Sequence, residues 1–268
     1  MRPILSISDP DDPRVAAYRD IRERDLVGRE GRFVAEGEVV LRMLARSGRH
    51  RAESVLIDAK RADKLSELLA EFGEDVPVYA AGQAVIDAIA GFHLHRGILA
   101  IGKRGEDPRA AGLLAGLGDG AVVLVLFGIS NHDNMGGLFR NAAAFGADAV
   151  LLDPDCCDPL YRKAIRVSVG HALTMPFARL GAGEDPLALL KAAGFEALAL
   201  TPVGATPLAR LKRPARAAVL LGTEGEGLPA RIIAGSTPVA IPMAPGVDSL
   251  NVAVTAGIVL HQLKFAQA

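Results

Sequence analysis

Two polar residues that could act on a substrate lie in residues 128–141, directly after a strongly apolar stretch. Asn134 is a residue type that often begins a helix as its N-cap. Arg140 lies off the apolar side of the helix that would follow, so it could reach the carboxyl edge of a sheet. An arginine placed there can bind phosphate or stabilise a negatively charged oxygen. A capped helix with a solvated arginine explains the same residues, and the local pattern favours neither interpretation.

A glycine-rich stretch at residues 222–227 follows a second apolar run and contains Glu224. Its glycines, Gly222, Gly225 and Gly227, allow the backbone to approach a ligand closely. No Gly-Lys-Ser/Thr sequence follows, which argues against a phosphate-binding loop. The Gly-x-Gly-x-x-Gly fingerprint of dinucleotide-binding proteins is also missing. The stretch therefore predicts a ligand site of another kind, and a plain glycine-rich turn is the alternative.

Residues 241–252 form a third candidate loop, which two prolines and a glycine stiffen. Either Asp248 or Ser249 can cap the last predicted helix. Asn251 would then fall in the first turn of that helix, where its side chain can point back towards a site. Each of these features is ordinary helix capping when it is taken singly.

Taken together and in this order, these three stretches of sequence resemble the motifs of the SpoU/TrmH branch of the SPOUT RNA methyltransferases. The resemblance covers about residues 121–265 and rests on three sequences: Asn134-x-Gly136-x-x-x-Arg140, Gly222-x-Glu224-Gly225-x-Gly227, and Ile241-Pro242-Met243 leading to Ser249-Leu250-Asn251-Val252. It implies an S-adenosylmethionine-dependent enzyme that methylates a ribose 2'-hydroxyl of rRNA or tRNA.

The same resemblance implies a role for each residue. The methyl donor, S-adenosyl-L-methionine, would be held by backbone at three positions: Gly222, Ile241 and Leu250. Arg140 would act on the ribose hydroxyl. The catalytic polar cluster around it would consist of Asn134, Glu224, Ser249 and Asn251. The resemblance also implies a homodimer with its active site at the interface, and a C-terminal segment threaded through a deep trefoil knot, a rare exception to unknotted chains.

The expected chemistry needs no metal, because a sulfonium methyl group is already a good electrophile, and the sequence suggests no metal site. The difficult step is to deprotonate and align a weakly acidic hydroxyl. Arginine stays charged in proteins, which makes Arg140 a poor general base. It could instead position an RNA phosphate or stabilise the developing alkoxide. The sequence leaves both roles open.

Alternating strand and helix patterns predict an α/β fold for the chain. In the second half, continuous apolar runs predict strands at 121–127, 148–152, 196–200, 217–221 and 238–241. The residues between them predict helices at 135–145, 161–169, 186–193 and 249–265. Continuously apolar strands are typical of a parallel sheet covered on both faces, whose ligands bind at the carboxyl ends of the strands.

The alternation also divides the chain into domains. Residues 1–102 are predicted to form a small α/β domain, which looks like the family's RNA substrate-binding domain with a ribosomal-protein-like RNA-binding fold. Residues 103–120 are polar and then glycine-rich, so we expect a linker there, within which Leu113 and Leu114 could form a short helix. Residues 121–268 are expected to form the catalytic domain. Four residues near the first motif are candidates for RNA contacts: Tyr161, Arg162, Lys163 and Arg166.

Composition sets limits on partners and location. The 268 residues carry a formal net charge of -1, so RNA binding must rest on a local basic surface. The two cysteines, Cys156 and Cys157, are adjacent and poorly placed to form a disulfide with each other, which favours a reduced, cytoplasmic protein. The chain start lacks the apolar stretch of a signal peptide. The strongest apolar run, 122–127, is too short to span a bilayer, so no membrane partner is expected.

The last predicted helix favours the homodimer, because it carries more apolar surface than a terminal helix normally exposes. The residues concerned are Val252, Ile258, Val259 and Leu263. The alternative is a helix that simply covers the sheet. Two other functions fit parts of the pattern. A non-catalytic RNA-binding protein could share the fold, although the candidate catalytic residues are intact. A nucleotide-dependent oxidoreductase could use a doubly wound sheet, although the dinucleotide fingerprint is missing.

Overall fold

The structure is a computed structural model that describes five stretches of the chain: residues 3–19, 30–91, 97–202, 206–223 and 225–266. The chain divides into two compact units. The first consists of residues 1–106 and 158–174, and the second of residues 107–157 and 175–268. Within the five stretches, no helix combines the length and the apolar character that crossing a bilayer requires.

Strands and helices alternate along the chain. The strands are β1 (Ile4–Ile7), β2 (Arg32–Glu36), β3 (Arg51–Asp58), β4 (Val78–Ala81), β5 (Ile98–Lys103), β6 (Val122–Leu126), β7 (Ala149–Leu152), β8 (Phe177–Arg179), β9 (Glu196–Leu200), β10 (Thr206–Pro207), β11 (Ala217–Leu221) and β12 (Thr237–Ala240). The α-helices are α1 (Glu38–Ala45), α2 (Ser66–Ala70), α3 (Gln83–Ala90), α4 (Ala110–Ala115), α5 (His132–Ala144), α6 (Arg162–Val167), α7 (Pro186–Ala192), α8 (Ala230–Ala234) and α9 (Val252–Phe265). The strands and helices predicted in the second half are confirmed, whereas the short elements β8, β10 and α8 were not predicted.

The first unit is built on a five-stranded sheet in the order β1-β4-β3-β5-β2. β1, β4 and β3 are parallel, whereas β5 is antiparallel to both β3 and β2. Helix α6 packs on β2, where Arg162 donates to Glu36 at 2.8 Å. The first unit is therefore a mixed α/β structure that includes a segment from the second half of the chain.

The observed division differs from the predicted one in two places. Residues 158–174, which the sequence places in the catalytic domain, belong to the first unit, where α6 packs against β2. The predicted linker at 103–120 contains the short helix that the sequence allowed there, α4, but it is packed into a core. Its apolar residues Ala110 and Leu114 are buried in the core of the second unit, so this stretch is not a free connection.

The second unit is built on a seven-stranded sheet in the order β10-β12-β9-β11-β6-β7-β8. Its neighbouring strands are parallel throughout. The prediction from continuous apolar runs is confirmed, and β6 and β11 are buried along their whole length. Helices α4, α7 and α8 share one core with alternate strand residues. Helices α5 and α9 pack on each other and against β7 and β11.

The direction of the connections changes between β6 and β11. From β6 the chain continues through α5 to β7 on one side, and from β11 it continues through α8 to β12 beyond β9 on the other. Ligands of parallel α/β sheets bind in the crevice at such a reversal, outside the carboxyl ends of the strands. The first two sequence motifs follow these two strands, so the topology brings them to the same crevice.

Helix α9 uses most of its apolar residues inside the second unit. Three of the four positions expected at a dimer interface are buried there, so they cannot form it: Val252, Val259 and Leu263. Ile258 is exposed, as are Val254 and Phe265. These three lie on one side of the helix, because their spacings of four and seven residues are helical repeats. We call them the α9 stripe.

Candidate active site

A cavity of about 490 Å³ opens at the carboxyl ends of β9, β11 and β12. Its wall includes the three positions predicted to hold a methyl donor, Gly222, Ile241 and Leu250, and also Ser249. Thr201, which directly follows β9, lies on the same wall. Loops that are distant in sequence therefore line one space of a size typical of small-molecule sites.

The loop after β11 contributes three glycines to the wall of this cavity: Gly222, Gly225 and Gly227. A Cβ atom added to Gly222 would lie 2.2–2.4 Å from backbone atoms of Gly227 and Leu228, so a larger residue would require the loop to move. The N–H of Gly227 donates to the carbonyl of Thr223 at 3.2 Å, which closes the turn. Gly225 and Gly227 adopt φ values of +101° and +71°, which suit glycine and strain other residues.

The two helices beside the cavity begin differently from what the sequence predicts. The N-cap of α5 is Asn131, whose Oδ1 accepts the N–H groups of Asp133 at 2.7 Å and Asn134 at 3.3 Å. The predicted cap at Asn134 is wrong. The N-cap of α9 is Asn251, whose Oδ1 accepts the N–H groups of the second and third helical residues at 2.9 and 3.3 Å. The predicted cap at Asp248 or Ser249 is therefore also wrong.

Asn134 and Asn251 contact each other. The Nδ2 of Asn251 donates to the Oδ1 of Asn134 at 2.8 Å, and Asn134 is buried. The first turn of α5 is thereby linked directly to the start of α9. This hydrogen bond joins the first and third sequence motifs, which are 117 residues apart.

Close packing continues along the same two helices. A Cβ atom added to Gly137 would lie 2.8 Å from the Cβ of Ala253, so the helices approach as near as glycine permits. One turn further, the Nδ2 of Asn141 donates to the carbonyl of Ala253 at 2.6 Å. The positions of α5 and α9 are therefore coupled over two turns, and a shift of one helix would move the other.

Residues 121–261 match the SpoU rRNA methylase family. The chain belongs to this family. An uncharacterised tRNA/rRNA methyltransferase of Mycobacterium bovis is 40% identical over 97% of this chain and 91% of its own length. A 23S rRNA (guanosine-2'-O-)-methyltransferase of Salmonella typhi is 28% identical over 82% of this chain and 92% of its own. A 23S rRNA (adenosine(1067)-2'-O)-methyltransferase of Streptomyces azureus is 26% identical over 98% and 96%, respectively.

Solved structures share the fold of this SpoU family member. An AdoMet-bound rRNA methyltransferase from Sinorhizobium meliloti has a TM-score of 0.80 at 21% identity, covering 99% of each chain. The SpoU methyltransferase AviRb from Streptomyces viridochromogenes has a TM-score of 0.78 at 20% identity, covering 94% of this chain and 97% of its own. The predicted α/β fold with a parallel sheet is confirmed, as are the predicted family and the class of enzyme, an RNA methyltransferase.

The predicted catalytic residues of this SpoU protein occupy different places. Ser249 is exposed on the cavity wall, and the Asn134–Asn251 pair lies at the helix starts. Arg140 is exposed on α5, about two turns from its first residue, and is not part of the cavity wall. It forms no hydrogen bond or ion pair with the part of the chain that the structure describes. Glu224 lies outside the described residues.

The sequence motifs omit a group of residues that the structure places beside them. Asp153 directly follows β7, and it and Cys156 bond to the segment between β6 and α5. Arg179 on β8 donates to the backbone carbonyls of Asp153 and Cys156. The sequence could have indicated Asp153 by its position, because it directly follows a predicted strand. The sequence motifs lie at the same carboxyl edge of the sheet. Over the described ranges, no three His, Cys, Asp or Glu side chains are grouped so as to hold a metal ion.

Proposed function

We propose that this SpoU family member transfers a methyl group from S-adenosylmethionine to a ribose 2'-hydroxyl of rRNA or tRNA. The observation that carries the proposal is the cavity beside the reversal of the parallel sheet, where Gly222, Ile241 and Leu250 share one wall. The relatives support the same reaction, since two of them are named as 23S rRNA 2'-O-methyltransferases.

The residues of the cavity fit the donor. Its volume suits a nucleoside-sized ligand. Gly222 packs directly against the backbone of Gly227 and Leu228, so the loop can form a tight turn whose glycines line the cavity. Ile241, Met243 and Leu250 offer apolar contacts. When bound, S-adenosylmethionine supplies an electrophilic methyl carbon and leaves as S-adenosylhomocysteine.

The chain's own residues must then hold and activate the hydroxyl. The Asn134–Asn251 bond fixes α5 against α9 beside the cavity. Ser249 provides a hydroxyl group on its wall. Arg140, a permanent cation, is available to bind an RNA phosphate or to stabilise the oxygen as it loses its proton. Glu224 belongs to this proposed cluster by its position in the motif.

The homodimer is part of the proposal, with the α9 stripe as its contact surface. Val254 is 50%, Ile258 39% and Phe265 59% exposed. Apolar residues aligned along one helix face mark a docking surface more often than scattered ones do. A second copy of the chain is the partner that the resemblance to the SpoU/TrmH family implies.

We also propose that the segment after β12 forms the trefoil knot. β12 lies beyond β9 in the sheet, yet α9, which follows it, packs back against α5. The chain therefore recrosses β9 and β11 after completing β12. Such a return is what threading the C-terminal segment through an earlier loop requires.

RNA binding by the first unit, with a ribosomal-protein-like fold, completes the proposal. Among the four candidates for RNA contacts, Arg162 is held by Glu36 within that unit. Lys163 and Arg166 are exposed on α6, so they are the better candidates for phosphate contacts. The cytoplasmic location and the lack of a metal or membrane partner stay predictions.

The test is to map 2'-O-methyl groups in rRNA and tRNA from cells with and without the protein. We expect one or a few positions to lose the mark and to regain it when purified protein and S-adenosylmethionine are added to the isolated RNA. If no position changes and the protein binds RNA but not S-adenosylhomocysteine, the non-catalytic alternative is correct instead.

A further inference from the structure

The turn after β7, residues 153–157, is bonded to the segment that leaves β6. The N–H of Asp153 donates to the carbonyl of Leu126 at 2.9 Å, and the N–H of Gly128 donates to Asp153 Oδ2 at 3.0 Å. The N–H of Cys157 donates to the carbonyl of Ile129 at 2.8 Å. Three of the four residues in the segment 126–129 are thus bonded to one neighbouring turn.

The Cys156 side chain adds two bonds to the same segment. Its Sγ accepts the N–H of Ile129 at 3.3 Å and donates to the carbonyl of Leu126 at 3.4 Å. The residue is 6% exposed, and burial raises the pKa of the thiol, so it remains protonated and able to donate. Cys156 therefore acts here as a hydrogen-bonding group and not as a nucleophile.

Arg179 holds the turn itself in shape. Its Nη1 donates to the carbonyls of Asp153 and Cys156, both at 2.9 Å. The other carboxylate oxygen of Asp153, Oδ1, accepts the N–H groups of Asp155 and Cys156 at 3.1 and 2.9 Å. A buried or half-buried charge bonded to several backbone groups rigidifies a loop strongly. We call Asp153, Cys156 and Arg179 the clamp.

The clamped segment leads straight to the proposed active site. Gly128, at φ +63°, abuts Thr223 on the cavity wall, since an added Cβ would lie 2.6 Å from the Thr223 Cγ2. Three residues later Asn131 caps α5, and the first turn of that helix carries Asn134. A displacement of this segment would therefore shift α5 relative to the cavity.

We propose that the clamp consists of positioning residues for the methyl transfer. They hold residues 126–129, which lead into α5, so that this helix keeps Asn134 and Arg140 in register with the cavity. None of the three needs to touch the donor or the RNA. This inference rests on the proposed methyltransferase function, and it adds residues that the three sequence motifs do not contain.

The test compares Arg179→Met with Arg179→Lys in the full chain. The methionine removes both bonds to the turn, and we expect kcat for RNA methylation to fall about a hundredfold, the size of effect that a displacement of about 1 Å produces. The dissociation constant of S-adenosylhomocysteine should stay within about twofold of wild type, because Arg179 is not on the cavity wall. A single ammonium can serve both carbonyls, so Arg179→Lys should recover most of the rate. Arg109→Met, at an exposed arginine before α4, is the matched control.

A second pair of variants, at Cys156, keeps the inference testable if Arg179→Met fails to fold. Cys156→Ser keeps a group that can donate and accept, whereas Cys156→Ala keeps neither. We expect the serine variant to methylate much faster than the alanine variant, with equal affinity for S-adenosylhomocysteine.

If Arg179→Met and Cys156→Ala both keep the wild-type kcat, the inference is overturned. It is also overturned if the variants lose donor affinity and melting temperature together while kcat does not fall separately. A wild-type protein that methylates no RNA would instead refute the proposed function itself.

Discussion

Asn251 bonds to two helices through one side chain. Its Oδ1 caps α9, and its Nδ2 donates to Asn134 in the first turn of α5 at 2.8 Å. An N-cap normally contributes to the stability of its own helix alone. Here the same amide also fixes the relative position of two helices beside the cavity, so its two roles can be separated by mutation.

Asn251→Ser and Asn251→Ala should differ in stability but not in activity. Serine is a good N-cap but is too short to reach Asn134, and alanine performs neither role. We expect the serine variant to be more stable than the alanine variant by about 1 kcal/mol in urea unfolding. Both should lose most of the methylation rate. Full activity in Asn251→Ser would show that the cap, and not the bond to Asn134, is what the site requires.

Gly222→Ala should weaken donor binding at least tenfold, because the new Cβ would overlap the backbone of Gly227 and Leu228. Calorimetric titration with S-adenosylhomocysteine measures this, and a chelator in the buffer tests the predicted independence from metal at the same time. Gly118→Ala is the matched control, since a Cβ there meets no atom within 4 Å. Unchanged affinity in Gly222→Ala would place the donor elsewhere, and loss of wild-type binding on chelation would contradict the metal-free prediction.

His50 should make the stability of the chain depend on pH. It is 2% exposed, and burial, followed by the nearby charges of Arg49 and Arg104, lowers its pKa to about 4 from an ordinary 6.5. Nδ1 accepts the N–H of Gly105 at 3.2 Å, which the neutral ring permits. The unfolded chain binds a proton at this site between pH 6.5 and 4, and the folded chain does not. The free energy of unfolding should therefore fall as pH falls through this window, by at most ~1.4 kcal/mol per pH unit.

His50→Asn isolates this effect, because an amide keeps an acceptor for Gly105 but does not titrate. Urea unfolding of both proteins at several pH values from 7 to 4 cancels the contribution of the carboxylates. We expect the difference in unfolding free energy between wild type and variant to shrink or reverse as the pH is lowered. A difference that is constant with pH would show that His50 titrates normally in the folded protein.

Ile258→Asp should convert a dimer into a monomer. The substitution places a charge in the middle of the α9 stripe, where a partner would have to desolvate it. Sedimentation at micromolar concentration measures the state. Val39→Asp is the matched control. Val39 on α1 is 54% exposed, but it belongs to the first unit, whereas α9 belongs to the second. An active wild-type monomer would refute the dimer.

That Gly222 and Ile241 line one cavity was predictable, because their positions depend on where strands end. Gly222 and Ile241 follow parallel strands that end at the same edge, so local patterns were enough to bring them together. The helix caps were not predictable in this way. Asn131 and Asn134 are both good cap residues three positions apart, and the local pattern does not show that Asn131 caps the helix while the side chain of Asn134 bonds to Asn251.

The domain division was also not predictable from local sequence, because it depends on contacts between distant residues. The sequence predicts a helix of the catalytic half at 161–169, and this helix is confirmed as α6 (Arg162–Val167). The place of residues 158–174 in the first unit rests on contacts with distant residues, such as the bond of Arg162 to Glu36, 126 residues earlier in the chain. A sequence pattern records which residues are polar, but it does not record which distant residue each one will pair with.

Arg140 provides the most direct test of the proposed catalysis. Arg140→Ala should lower the rate of methyl transfer by two to three orders of magnitude, roughly the cost of removing one group that stabilises a developing anion. Donor affinity should stay within about twofold, because Arg140 is exposed on α5 and is not part of the cavity wall. Arg140→Lys should also fail, since a compact ammonium cannot reproduce the planar, two-pronged contact of a guanidinium with phosphate.

Single-turnover methylation of the identified RNA, paired with titration of S-adenosylhomocysteine, measures both quantities for Arg140. Arg109→Ala is the control for loss of an exposed arginine from the same unit. A contact made only in the transition state lowers the chemical rate without changing ground-state binding of the donor. If Arg140→Ala methylates at nearly the wild-type rate, Arg140 is not catalytic. The hydroxyl must then be activated by the remaining members of the cluster, Ser249, Asn251 and Glu224, of which Ser249 lies on the cavity wall and is the first to substitute.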